Sequence, residues 1–102
     1  MLPFFPQKLN FHSYMSNLKP ILYVKQGCPW CVQAEEYFSQ ESIEYQRINV
    51  LESVDGLKAL EDSSGQLSTP TWVFGKEVIP DFSVDEFQEA LKKNPSTKSL
   101  FN

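Results

Sequence analysis

The chain has 102 residues, two cysteines and one histidine, with thirteen acids against nine Lys and Arg and a net charge of −4. That length suits one domain, since single domains usually run about 100–150 residues, and a 41% hydrophobic share supplies one core and excludes a wholly disordered chain. No apolar run approaches the ~18 residues of a membrane span, the acidic balance is the reverse of a general nucleic-acid binder, and two Cys with one His cannot close a four-ligand zinc site.

Residues 1–18 read as an N-terminal extension. Pro3, Phe4, Phe5, Pro6, Phe11 and Tyr14 show no apolar period, Lys8 follows the apolar start, and no small-residue cleavage site is present. A signal peptide does not fit that pattern. Met15 can serve as the natural start, which makes residues 1–14 an upstream extension; the other reading is a disordered or surface-docked arm. His12, within this arm, reads as a solvated surface residue rather than a catalytic base.

Regular patterning runs from Lys19 to about residue 94. Ile21-Leu22-Tyr23-Val24 is a short apolar run with β-branched and aromatic members, the pattern of a buried strand. Gly27 interrupts it, and Pro29 suits the first turn of a helix, where its missing N–H costs nothing. Val32, Ala34, Tyr37 and Phe38 give that helix an apolar side, with Glu35, Glu36 and Gln40 outside. A second strand is read from Ile43 to Val50; its alternation slips at Arg47, which predicts a bulge or a strand end there. A second helix spans about Ser53 to Asp62, capped by Ser53, closed by Gly65, with Val54, Leu57 and Leu60 at helical spacing. Gly56 weakens it by about 1 kcal/mol relative to alanine.

Thr71-Trp72-Val73-Phe74 and Glu77-Val78-Ile79, joined by Gly75-Lys76, read as a hairpin with a type II′ turn. Trp72 and Phe74, alternating with Val73, read as core and sheet packing. Ser83-Val84-Asp85-Glu86 is a capping box that opens the last helix, with Val84, Phe87 and Leu91 as its buried stripe. Asn94-Pro95 ends it, and residues 95–102 read as a loose tail. The order β-α-β-α-β-β-α predicts an α/β fold. Its first strand-helix-strand unit implies a parallel pair, and the hairpin adds antiparallel strands at one edge. The result is a mixed four-stranded sheet with helices on both faces.

Both cysteines sit together as Cys28-Pro29-Trp30-Cys31. A disulfide in so short a ring constrains the unfolded chain by only about 2 kcal/mol, and secreted disulfide-built domains use more cysteines and longer loops. Redox chemistry in a reducing compartment, the cytoplasm, is expected ahead of an inert structural pair or an intermolecular metal or cluster site. Cys28 stands where the first strand ends and a helix begins, so its sulfur faces unpaired backbone N–H groups and the positive end of the helix dipole. Cysteines of Cys-X-X-Cys motifs at helix starts have pKa values of roughly 3.5–7.5, against about 8.5 for a free thiol. Residues 1–34 contain Lys8, Lys19 and Lys25 and no acid, whereas residues 52–102 carry five Lys and nine acids. The reactive end is therefore locally basic. Cys31, one turn on and more buried, lies within disulfide reach: Cys28 attacks a substrate disulfide and Cys31 resolves the mixed disulfide.

Lys25-x-x-Cys28-Pro29-Trp30-Cys31, followed by Ser68-Thr69-Pro70 and a hairpin, resembles the glutaredoxins of the dithiol class over residues 19–94. The resemblance implies a thioredoxin fold, and reduction of protein disulfides or glutathione-mixed disulfides with glutathione as reductant or co-substrate. Lys25 matches the family lysine that helps bind the glycine carboxylate of glutathione and favours the thiolate. Trp30 replaces the usual Tyr and keeps an aromatic flank beside the sulfur. Pro70 matches the family's cis-proline, and the residue before it, here Thr69 in place of Val, pairs its backbone with the cysteine of glutathione.

A departure follows the fourth strand. The family usually reads Gly-Gly there, then a small residue and an Asp, Ser or Thr that hold the γ-glutamyl carboxylate. This chain reads Ile79-Pro80-Asp81-Phe82-Ser83, which stiffens the turn and adds a negative charge. The Phe82 N–H and Ser83 remain to bind a carboxylate at the helix N-terminus, with Ser83 reading equally well as a plain helix cap.

The function expected is that of a monomeric thiol-disulfide oxidoreductase, acting on disulfide-containing or glutathionylated proteins, with no resident metal. A second reading is a glutaredoxin-like electron donor reduced by an enzyme of the thioredoxin-reductase type. A third is an iron–sulfur module in which two chains share a cluster through Cys28 and two glutathiones; Pro29 and the altered turn count against it.

Overall fold

Alternation within the strands sorts the apolar side chains into two sets, one for each face of a sheet. The computed structural model describes residues 18–101; the expectations placed on residues 1–17, including His12 and Met15, lie outside them. Strands β1 (Ile21–Val24), β2 (Gln46–Asn49), β3 (Thr71–Phe74) and β4 (Glu77–Ile79) form one sheet in the order β2-β1-β3-β4. β1 pairs parallel with β2 and antiparallel with β3, and β3 pairs antiparallel with β4. Leu22, Val24, Trp72 and Ile79 pack on one face with Ala34 and Phe38 of α1 (Pro29–Gln40) and Phe87 of α3 (Val84–Ala90). On the other face Tyr23 packs with Val50 and with Leu60 of α2 (Val54–Ser64). β1 is central and covered on both sides, hence its unbroken apolar run.

The slip at Arg47 is not a bulge. The β1–β2 register runs without interruption from Ile21 opposite Gln46 to Val24 opposite Asn49. Ile43 and Tyr45 lead into the strand on the α1 face, while Ile48 and Val50 serve the α2 face. Parity is unbroken; what changes at Arg47 is which face is covered. Arg47 itself pairs at 3.0 Å with Glu35 of α1, which also accepts the Tyr45 hydroxyl.

Two expected core residues are solvent-exposed. Val32 is 57% and Val54 85% exposed. The buried line of α1 is Cys31, Ala34 and Phe38, and Val32 is rotated from it by about 100°. Val54 opens α2 ahead of its contact with the sheet. Gly56, by contrast, is required: a Cβ there would sit 2.6 Å from Ile48 Cγ2, so the helix approaches β2 only because no side chain intervenes. Ser53 caps α2 by accepting the Gly56 N–H, and Gly65 ends it. In the hairpin only Gly75 (φ +62°) of the two turn residues has a positive φ, the sign pattern of a type II′ turn.

The C-terminal segment corrects the expectation of a loose tail. After a 3-10 turn at Leu91–Lys93 the chain forms α4 (Pro95–Ser99). Asn94 gives α4 no side-chain cap. The carboxylate of Glu77 on β4 does so instead, accepting the Ser96 and Thr97 N–H groups at 3.0 and 2.7 Å. Thr97 is fully buried and accepts the Trp72 indole N–H at 3.1 Å. Phe101 stacks on Tyr37, centroids 5.7 Å apart.

Candidate active site

Because β3 runs antiparallel to β1, with Tyr23 opposite Thr71, the exit of β1 lies beside the entry to β3. Residues 41 apart in sequence meet there. Cys28 follows β1 and is itself the N-cap of α1, with Pro29 in the first turn; its Sγ accepts the Cys31 N–H at 3.2 Å. Thr69, joined to Pro70 by a cis peptide bond, faces it from the entry to β3. The Cys28 thiol donates to the Thr69 carbonyl, and the Thr69 hydroxyl donates to the Cys28 sulfur, both at 3.7 Å.

Electrostatics separate the two thiols. Burial acts to raise the Cys28 pKa, but hydrogen bonds from the Cys31 thiol, the Thr69 hydroxyl and the Cys31 and Trp30 N–H groups outweigh it, and the value falls below that of an ordinary thiol. Cys31 is only 3% exposed. Burial, followed by its hydrogen bond to Cys28, pushes its pKa up to about 11. Both are free thiols. One cysteine is thus accessible and ready to ionise, the other sheltered and protonated, which is the division between an attacking and a resolving thiol.

Beyond Trp30 an open cleft of about 350 Å³ is lined by Trp30, Asp81, Phe82, Ser83 and Glu86. The structure therefore gathers three of the residues expected to bind glutathione. It also shows how their donors are used. The Phe82 N–H donates to the Pro70 carbonyl at 3.3 Å, and its ring is buried against Phe87. The Ser83 N–H donates to the Glu86 carboxylate at 2.9 Å, while Ser83 Oγ accepts the Glu86 N–H. Asp81 has φ +48°, a backbone conformation that favours glycine, so the turn keeps the shape that a glycine would fill. Lys25 accepts the Cys28 N–H on its carbonyl at 3.3 Å, and its ammonium makes no ion pair among the described residues.

Sequence reasoning missed two participants. Glu86 was visible as a member of the capping box, whose reciprocal bonds consume the very N–H a ligand carboxylate would need. The Thr69 hydroxyl carried no sequence signal, because its partner is set by strand order.

An accessible sulfur at a helix N-cap, a buried thiol one turn on and a cis-proline loop opposite them are the arrangement that a dithiol oxidoreductase of thioredoxin-like fold requires. A family model described as Glutaredoxin matches residues 21–79, more than half of the chain. The chain belongs to the glutaredoxin family and is a thiol-disulfide oxidoreductase. Solved structures agree on the fold. The thioredoxin-like protein BC3987 is 27% identical, with 70% of this chain and 97% of that one covered and a TM-score of 0.64. A glutaredoxin from Archaeoglobus fulgidus is 18% identical over 78% and 92%, TM-score 0.62. A buckwheat glutaredoxin in complex with glutathione is 21% identical over 91% and 88%, TM-score 0.60. No curated protein sequence matches the chain.

Proposed function

We propose that this chain reduces protein disulfides and glutathione-mixed disulfides by a two-cysteine relay, with glutathione as reductant. The observation that carries the reading is the Cys28 sulfur, accessible at the N-cap of α1, beside a Cys31 thiol of opposite proton affinity. The Cys28 thiolate attacks one sulfur of the substrate disulfide. A bond forms between them, and the other substrate sulfur leaves with the bonding pair and takes a proton from solvent. Cys31 then loses its proton and attacks the Cys28 sulfur, closing the Cys28–Cys31 disulfide and releasing the second substrate thiol. Two electrons pass from the dithiol to the substrate. Two glutathiones reverse the exchange and leave as glutathione disulfide.

Family membership and the buckwheat complex support glutathione, with the Thr69 backbone as its main-chain partner beside Cys28 and Lys25 and Trp30 flanking. The reading goes with a monomer in a reducing compartment, the cytoplasm. Cys28→Ser is expected to abolish activity. Cys31→Ser is expected to keep reduction of a glutathionylated peptide, which needs one cysteine, and to lose reduction of a protein disulfide. Equal loss in both variants on the glutathionylated peptide would remove the single-cysteine half of the mechanism.

A specific observation favours a second source of electrons. The Phe82 and Ser83 N–H groups are bonded within the chain, and Asp81 and Glu86 line the cleft, which disfavours a ligand carboxylate. Electrons then come from an enzyme of the thioredoxin-reductase type. Supplying NADPH to the oxidised protein through glutathione and glutathione reductase, and separately through thioredoxin reductase, ranks the two by rate.

A further inference from the structure

Thr69 is 9% exposed, and its hydroxyl donates to the Cys28 sulfur at 3.7 Å while also acting to lower the Cys31 pKa. A buried hydroxyl without a partner is costly, so this donor is held at the sulfur pair, with Cys28 as its hydrogen-bond acceptor. The carbonyl of the same residue lies equally near, at 3.7 Å, and can only accept. The two groups serve opposite protonation states of Cys28: the carbonyl takes the proton of the thiol, and the hydroxyl directs its own proton to the thiolate. Valine at this position would keep the carbonyl and the shape and lose only the donor.

We propose that the Thr69 hydroxyl is a catalytic group of the exchange, holding the charge on the Cys28 sulfur in the reduced enzyme and losing that charged acceptor when the Cys28–Cys31 disulfide forms. The half-reaction is disulfide plus two electrons and one proton giving Cys28 thiolate and Cys31 thiol. A hydrogen bond that strengthens only on the thiolate side displaces it toward the dithiol. The same bond adds to those from Cys31 and the Trp30 N–H in raising the amount of nucleophile present at neutral pH. Thr69 thereby acts on both the rate of attack and the redox poise of the pair. This inference rests on Cys28 as the nucleophile.

The test measures iodoacetamide alkylation of the reduced full chain against pH, and the dithiol–disulfide equilibrium in dithiothreitol buffers. Thr69→Val is expected to raise the Cys28 alkylation midpoint by about one pH unit, a tenfold loss of thiolate equal to about 1.4 kcal/mol. The equilibrium is expected to move about tenfold toward the disulfide, or about 30 mV. Thr69→Ser keeps the hydroxyl and is expected to titrate as the parent does. Thr69→Ala is expected to follow Thr69→Val, and carries the same test if valine unfolds the chain. A parent-like midpoint and equilibrium without the hydroxyl overturns the proposal, as does a Thr69→Ser shift as large as that of Thr69→Val. Mass-spectrometric mapping distinguishes the two levels: parent protein alkylated first at Cys31 removes the nucleophile assignment and this proposal together, whereas Cys28 alkylated first but indifferent to residue 69 removes this proposal alone.

Discussion

Cys28 and Cys31 bind their protons with opposite strength, and each has a consequence for stability against pH. The folded pKa of Cys31 is raised, to about 11, so the stability it contributes is complete below the ordinary thiol value and is lost as pH rises through about 11. Cys28 has the reverse sign: its contribution is present above the ordinary thiol value and is lost as pH falls through its lowered folded value. Between about pH 8.5 and 11 the urea midpoint of the reduced protein is expected to fall more steeply than that of a Cys31→Ala variant. Asp81, like Ser42 (φ +57°), carries a cost in its backbone. Its φ of +48° is strained for a residue with a Cβ. Asp81→Gly relieves about 1–2 kcal/mol of that strain and loses about 0.4–1 kcal/mol through the freer unfolded chain. A small net gain in urea stability is expected, together with, if glutathione is the reductant, a lower KM for it, because a carboxylate has left the cleft.

Elements carry the next set of consequences. Helix propensity alone says that Gly56→Ala stabilises α2 by about 1 kcal/mol. The 2.6 Å approach to Ile48 Cγ2 says the opposite, and overpacking of this kind costs about 1–3 kcal/mol. Urea denaturation of Gly56→Ala is expected to show net destabilisation. At the other end of the fold, α4 is capped from β4 by Glu77 rather than from its own N-terminus. Burial acts to raise the Glu77 pKa, but the hydrogen bonds from Thr97 and Ser96 outweigh it and hold it below the usual carboxylate range. Its contribution is therefore present above the unfolded carboxylate value and lost as pH falls through the lowered folded value. Glu77→Ala is expected to cost about 1–2 kcal/mol, as loss of a helix cap does. Trp72, bonded to Thr97 beneath that cap, supplies the fluorescence readout.

At the scale of the whole molecule, a net charge of −4 and the acids lining the cleft oppose a reductant that is itself an anion at neutral pH. If glutathione is the reductant, its KM is expected to fall as salt is raised from about 0.01 to 0.15 M, where the Debye length shrinks from about 30 to 8 Å; a KM indifferent to salt would show that the acids do not reach the bound ligand. Much of the fold was legible in sequence because its signals are local. The β1 run, the α2 and α3 caps, the Gly75 turn and Cys28 at a helix start each depend on neighbours a few residues away. Residues 43–50 were legible only in part, since one strand serving two faces in succession mimics a slip in phase. What the sequence determined by itself was thus the elements from β1 to α3, though not α4, and a dithiol placed where a thiolate is favoured, because each of these is set by residues a few positions away. Tertiary structure alone decided the rest. Strand order brought the Thr69 hydroxyl to the Cys28 sulfur, docking gave α4 its cap from Glu77, and the turn after β4 committed the Phe82 N–H to the Pro70 carbonyl, because each of these depends on which distant groups meet once the sheet has closed.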